Sequence, residues 1–143
     1  MGGIACAVRD FILQRHRDEI DFLVVGNGLD FASAFAKELN INQVSVYRTF
    51  GTAHFKFQDF DFEFVGARKE SYIQESRNPS IEIGTFEDDI SRRDFTINTL
   101  AVSLNKENFG ELIDIYNGIK DLENENAALK KRVRELEEEL AKK

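Results

Sequence analysis

Apolar residues fall into short alternating or continuous runs along most of the chain, and into a seven-residue repeat at its end. The run Ile20-Asp-Phe-Leu-Val-Val-Gly26 predicts a β-strand that stops at the turn Gly26-Asn27-Gly28. Leu29, Phe31, Ala32, Phe35, Ala36 and Leu39 recur at helical spacing, which predicts a helix over 29–39. Alternation through Val44, Val46 and Arg48 predicts a strand over 44–50. The stretches 53–57 and 60–65 predict a hairpin around Gln58-Asp59. Its second strand puts Phe60, Phe62 and Phe64 on one face and Asp61, Glu63 and Val65 on the other. Residues 66–85 hold the single proline, Pro79, and read as irregular. The run 94–104 begins helical, and 111–115 reads as a short final strand before the turn Asn117-Gly118. The fold class is α/β or α+β, a small mixed sheet with flanking helices.

From residue 119 the pattern changes. Ile119, Asn126, Val133 and Leu140 occupy one heptad position, and Leu122, Leu129 and Leu136 the other, in alternating steps of three and four. An amide at a core position favours a parallel two-stranded pair, because it satisfies itself across the seam and sets register. The segment from Leu122 to Val133 resembles the leucine zipper of basic-zipper transcription factors. No basic region precedes it, so DNA is not an expected partner. The expected units are a globular body over 1–118 and a coiled-coil homodimerisation helix over 119–143, continuous across the junction.

Composition sharpens this division. All 13 phenylalanines of the 143-residue chain precede residue 119. The first 118 residues carry the whole net charge of −7, and the tail balances to zero. An acidic chain argues against unaided, bulk electrostatic binding of nucleic acid. No run of 18 apolar residues is present, so a membrane span is not expected. One cysteine, Cys6, excludes a disulfide framework, and two histidines leave no ordinary structural zinc set. Cytoplasmic localisation is the expectation.

Two features bear on chemistry. Glu19 and Asp21 bracket Ile20 at the start of the first predicted strand, so period two sends both carboxylates to one face and Ile20 to the core. Adjacent strand carboxylates suit a hard divalent cation, and Glu63 is a third, strand-borne oxygen donor. A solvated acidic face is the plainer alternative. The second feature, Ile4-Ala-Cys-Ala-Val-Arg-Asp10, puts small residues before Arg-Asp at a predicted helix start, where backbone amides could meet a phosphate; a helix start with a surface ion pair is the alternative.

In conjunction, the motifs resemble the head domain of class II tRNA nucleotidyltransferases, the CCA-adding enzymes, and of bacterial poly(A) polymerases. Ala7-Val-Arg-Asp10 is similar to the end of the family's Gly-Gly-x-Val-Arg-Asp loop, and Glu19-Ile-Asp21 to its Asp-x-Asp strand. Phe50-Gly-Thr-Ala, Glu63-Phe-Val-Gly-Ala-Arg68, Arg92-Arg-Asp-Phe-Thr-Ile-Asn98 and Asp114-Ile-Tyr-Asn-Gly-Ile-Lys-Asp-Leu122 follow in family order.

The resemblance implies a polymerase-β-like head that binds Mg2+, or Mn2+, and transfers CMP or AMP from CTP or ATP to an RNA or tRNA 3′ end. It implies Glu19 and Asp21 as metal ligands, with Glu63 as a third catalytic acid. It places Ala5, Cys6, Arg9, Asp10, Arg68, Arg93, Asp94 and Asn98 around the nucleotide. Ala5 and Cys6 stand where the family has two glycines, and Glu19 where it has aspartate. The zipper takes over where neck, body and tail would follow. The expectation is therefore an engineered, truncated head with impaired or relaxed activity. The alternative is a catalytically impaired nucleotide-binding or structural fragment dimerised by its zipper.

Overall fold

The alternating phenylalanines become the centre of a seven-stranded sheet. The structure, a computed structural model, describes residues 3–4, 6–71 and 80–142. Strands β1 (Gly3–Ile4), β2 (Glu19–Val24), β3 (Ser45–Tyr47), β4 (Thr52–Phe57) and β5 (Phe60–Gly66) join the later strands β8 (Ala101–Ser103) and β9 (Leu112–Ile113) in the order β3-β4-β5-β2-β1-β8-β9. The central β2–β5 pair is parallel and the other pairs are antiparallel, so the expected mixed sheet is present.

Helix α2 (Gly28–Glu38) covers one face. Its Ala32 and Ala36 are fully buried and let the backbone approach a bed of aromatic rings. Phe22 stacks on Phe64 at 4.7 Å between centroids, Phe55 lies 5.3 Å from Phe64, and Phe35 closes the group from the helix. The Asn27 side chain caps α2 by accepting from the amides of Leu29 and Asp30. A Cβ on Gly28 would lie 2.9 Å from the Gly66 backbone nitrogen, so only glycine allows α2 to start this close to β5.

The opposite face is polar where β2, β4 and β5 meet. Parallel register sets Glu19 beside Asp61 and Asp21 beside Glu63, and the β4–β5 ladder sets His54 beside Glu63. Further along this face, Leu23 joins Ala67, Ile90 and Phe86 in a second small core under α3 (Phe86–Ser91).

Three sequence expectations change. Within the stretch 66–85, β6 (Arg68–Ser71) and β7 (Ser80–Ile83) form a two-stranded antiparallel sheet. β6 is wholly polar in sequence, and the alternation Ser80-Ile-Glu-Ile83 is only four residues long. The run 94–104 makes a single 3₁₀ turn at Thr96–Asn98 before entering β8. The strand predicted over 44–50 is three residues long and ends in a 3₁₀ turn at Arg48–Phe50.

Helix α4 (Gly118–Ala141) is unbroken across the junction, as expected. Asp114 caps it, accepting from the amides of Gly118 and Ile119 at 2.6 and 3.2 Å. Its first turns belong to the body. Gly118 is buried against the 3₁₀ turn, where a Cβ would meet the Thr96 carbonyl, and Leu122 is 5% exposed. Leu122, expected in the dimer seam, is therefore a core residue of the head. Leu129, Val133, Leu136 and Leu140 are the exposed part of the stripe, at 42–70%.

Candidate nucleotidyl-transfer site

Helix α1 (Cys6–Ile12) and β2 carry the first half of the site. Arg9 and Asp10 lie inside α1 rather than at its start, so their side chains and not their amides carry the local chemistry. Asp10 is buried and is held by two arginines. Arg9 donates from Nε at 3.1 Å and Arg17 from Nη1 at 2.8 Å. Burial alone would raise its pKa, but these two charge-assisted bonds outweigh burial and hold the carboxyl below its ordinary value.

Arg17 then reaches β2. Its Nη2 donates to Glu19 Oε2 at 3.0 Å and lies 3.8 Å from Asp21 Oδ2. Glu19, Asp21, Glu63, Asp61, His54 and Arg17 line one hollow of about 460 Å³. Burial, and then the neighbouring charge of Asp21, push the Glu63 carboxyl above its ordinary value; Glu19 adds to this and His54 opposes it. His54 Nε2 lies 3.3 Å from Asp61 Oδ1.

On the other side, Arg9 Nη1 donates to Asn98 Oδ1 at 2.6 Å, and Arg93 Nη1 donates to the Asn98 carbonyl at 2.8 Å. Arg93 also donates to Asp89 at 3.1 Å. Asp89, which is fully buried, takes a further bond from Arg92 at 2.9 Å and one from the Arg68 amide at 3.0 Å. One connected network thus runs from Asp89 through Arg93, Asn98, Arg9, Asp10 and Arg17 to the strand carboxylates.

The structure therefore gathers Glu19, Asp21, Glu63, Arg9, Asp10, Arg93 and Asn98. Arg68 and Asp94 are not among them. The Arg68 side chain lines a different hollow, with Gly26, Arg48 and Phe50, and only its backbone amide joins the network. Asp94 is exposed on the turn that follows α3. Cys6 is the first residue of α1, and Ala5 lies outside the described residues. The sequence reading missed Arg17, His54, Asp61 and Asp89. Only Asp89 had a local signal, its i+3 and i+4 spacing to Arg92 and Arg93, which directly follow α3.

Among the described residues no group of three or more His, Cys, Asp or Glu side chains is placed to hold a metal ion. The donor set still suits magnesium, which is held by one or two carboxylates with substrate phosphates and waters filling the remaining positions. Glu19 and Asp21 are such a pair, open to the hollow. Manganese fits the same oxygens.

Residues 1–128 match the poly A polymerase head domain. The chain is 39% identical over 122 residues to the A-adding tRNA nucleotidyltransferase of Aquifex aeolicus, covering 85% of this chain and 14% of that protein. It is 36% identical over 118 residues to the CC-adding tRNA nucleotidyltransferase of Deinococcus radiodurans, covering 82% and 31%. A solved tRNA nucleotidyltransferase complexed with a primer tRNA and an incoming ATP analog superposes at a TM-score of 0.71 with 35% identity, over 85% of this chain and 33% of that one. A tRNA-processing enzyme with CTP gives a TM-score of 0.70 at 36% identity, over 85% and 30%. The chain spans a third or less of each of these proteins. With its strand carboxylates, Val-Arg-Asp helix and Arg-Arg-Asp turn joined in one network, this chain belongs to the poly A polymerase head-domain family.

Proposed function

We propose that this chain is a catalytic head that transfers a nucleotidyl group, CMP or AMP, from CTP or ATP to the 3′ end of an RNA, tRNA above all. The observation that carries this reading is the hydrogen-bonded path linking the Arg-Arg-Asp turn, through Arg9 and Asp10, to Glu19 and Asp21. Glu19 and Asp21 would hold Mg2+, or Mn2+, which would supply Lewis-acid polarisation of the α-phosphate and of the attacking hydroxyl. Glu63 is their neighbour across the parallel ladder and adds a third acidic group. Arg9 and Arg93, fixed by Asn98 and Asp89, face the nucleotide as oriented donors. The products of the transfer are the RNA extended by one residue and pyrophosphate.

The test is extension of a tRNA lacking its terminal CCA, with Mg2+ and labelled CTP or ATP. Label on the RNA 3′ end is the expected result, and Asp21→Asn removes it. No extension at high protein concentration, with either nucleotide and either metal, refutes the reading.

The exposed stripe favours a second element of this proposal, a homodimer through α4. In a parallel pair, Glu125 faces Lys130 of the second copy and Arg132 faces Glu137, so both flanking charge pairs attract. Because Leu122 is engaged by the head, the seam starts at Asn126 and runs to Leu140. That is about two heptads, which makes the dimer weak. Sedimentation equilibrium should show a concentration-dependent dimer that Leu136→Glu abolishes. A monomer at every concentration refutes it.

A further inference from the structure

We infer that Arg17 is a built-in counter-cation for the strand carboxylates, one that a divalent ion has to displace in order to bind. The inference rests on the proposed metal role of Glu19 and Asp21. Arg17 engages one oxygen of each carboxylate that would ligate a metal, Glu19 Oε2 by a hydrogen bond at 3.0 Å and Asp21 Oδ2 by charge at 3.8 Å. A guanidinium bonded to a carboxylate oxygen takes a lone-pair direction that a metal also needs.

The placement of Arg17 is built rather than incidental. The Leu13 amide donates to the Arg9 carbonyl and the Arg15 amide to the Asp10 carbonyl, closing the end of α1. Gln14 makes the reversal with φ of 55°. The chain then enters β2 two residues after Arg17, which sets its side chain between helix and sheet. Its Nη1 is anchored to buried Asp10 at 2.8 Å while Nη2 spans to Glu19. The guanidinium can therefore release Glu19 and Asp21 while it keeps Asp10.

Glu19, Asp21, Asp61 and Glu63 share one hollow, and like charges this close repel. Arg17 relieves that repulsion, and a divalent ion relieves it more strongly. Two consequences follow. Without Arg17 the metal-free protein loses stability, and the metal-bound protein regains it through linkage. Metal affinity rises, because no cation has to leave first.

The test is Mn2+ binding without nucleotide, followed by electron paramagnetic resonance of free Mn2+ at fixed salt. It compares wild type, Arg17→Gln and, as a charge control, Arg15→Gln. Arg15 lines the hollow between α1 and α4 instead. Arg17→Gln should bind Mn2+ about tenfold more tightly, the equivalent of one charge-assisted hydrogen bond given up. Arg15→Gln should change affinity less than about threefold. The increase in melting temperature on adding Mn2+ should be larger for Arg17→Gln than for wild type.

If Arg17→Gln does not fold, Arg17→Lys carries the comparison, because a single ammonium cannot span Asp10 and Glu19 as the fork does. Arg17→Lys should bind more tightly than wild type. Equal or weaker binding by the Arg17 variants overturns the counter-cation role and leaves the metal site standing. Absence of Mn2+ binding in wild type and variants alike overturns both.

Discussion

Asp89 is the residue whose loss should test the whole network most directly. It is 0% exposed and accepts three hydrogen bonds, from the Arg68 amide and from the guanidiniums of Arg92 and Arg93. Asp89→Ala removes the acceptor common to all three. Deleting one member of a buried ion pair costs about 3–5 kcal/mol. The side chains of Arg92 and Arg93 are 31% and 22% exposed, so they recover some hydration and the low end applies, about 3 kcal/mol. For a chain of this size that lowers the melting temperature by roughly 10–15 °C. Asp89→Asn keeps the shape and an acceptor for the amide but not the charge, and should fall between. Calorimetry and urea unfolding measure both variants. Nucleotide transfer, measured well below the new melting point, should also fall in Asp89→Ala, because Arg93 is no longer held between Asp89 and the Asn98 carbonyl. A melting temperature lowered by less than about 3 °C would refute the reasoning, because it would mean that Asp89 holds nothing in place.

The pH dependence of stability follows from Glu63. Its carboxyl is raised above 4.5, so over the window that opens at 4.5 the folded chain keeps a proton the unfolded chain has released, and stability falls as pH rises. Urea melts between pH 4 and 7 should show wild type losing stability relative to Glu63→Gln, and parallel curves would contradict this. Asp10 has the opposite sign, because its lowered pKa contributes stability above 3.8 that is lost as pH falls through its folded value. Asp10→Asn should therefore be less acid-sensitive but less stable at neutral pH, as a pH series of melts would show. Leu122→Ala should cost about 2–5 kcal/mol. Leu136→Ala, on the exposed stripe, should change monomer stability by less than about 0.5 kcal/mol, and chemical denaturation at low concentration separates the two. Gly28→Ala should destabilise by about 1–3 kcal/mol, because its Cβ lies 2.9 Å from the β5 backbone and neither element can yield freely.

The parts legible in sequence were those with a period. Alternation put Phe62 and Phe64 on one face and Glu63 on the other, and the structure makes the first of these the face under α2. Period two also put Glu19 and Asp21 on one face with Ile20 between them. Helical spacing identified α2, and the heptad identified α4. The parts that escaped depend on contacts between distant segments. Nothing local distinguishes Leu122 from Leu129, since both satisfy the heptad. What separates them is the 3₁₀ turn at Thr96–Asn98, which folds back over the start of α4 and buries only the first. Asp61 carried no signal of its own: Lys56 is its β4 ladder partner, 3.8 Å away, and His54 reaches it from the diagonal position at 3.3 Å. Arg17 carried no pattern at all. It stands in the link between α1 and β2, and its importance comes from what lies on each side of it.

The charge balance of the network bears on how an acidic protein handles an anionic substrate. Asp10, Glu19, Asp21, Asp61, Glu63 and Asp89 face Arg9, Arg17, Lys56, Arg92 and Arg93, so the site is close to neutral although the chain carries −7. Bulk attraction for a triphosphate is therefore small, and binding has to come from the direction of individual donors and from cations held on the carboxylates. Four of those six carboxylates have arginine partners, Asp61 lies against His54 and Lys56, and Glu63 is the one with a raised pKa. A cation arriving with the nucleotide would thus meet Arg17, and beside it a carboxyl that holds its proton to higher pH than usual. Nucleotide binding should then weaken little as monovalent salt rises, and strongly as divalent ion is withdrawn. A steep salt dependence with no divalent dependence would mean that the arginines alone bind the triphosphate, and the carboxylate row would lose its assigned role.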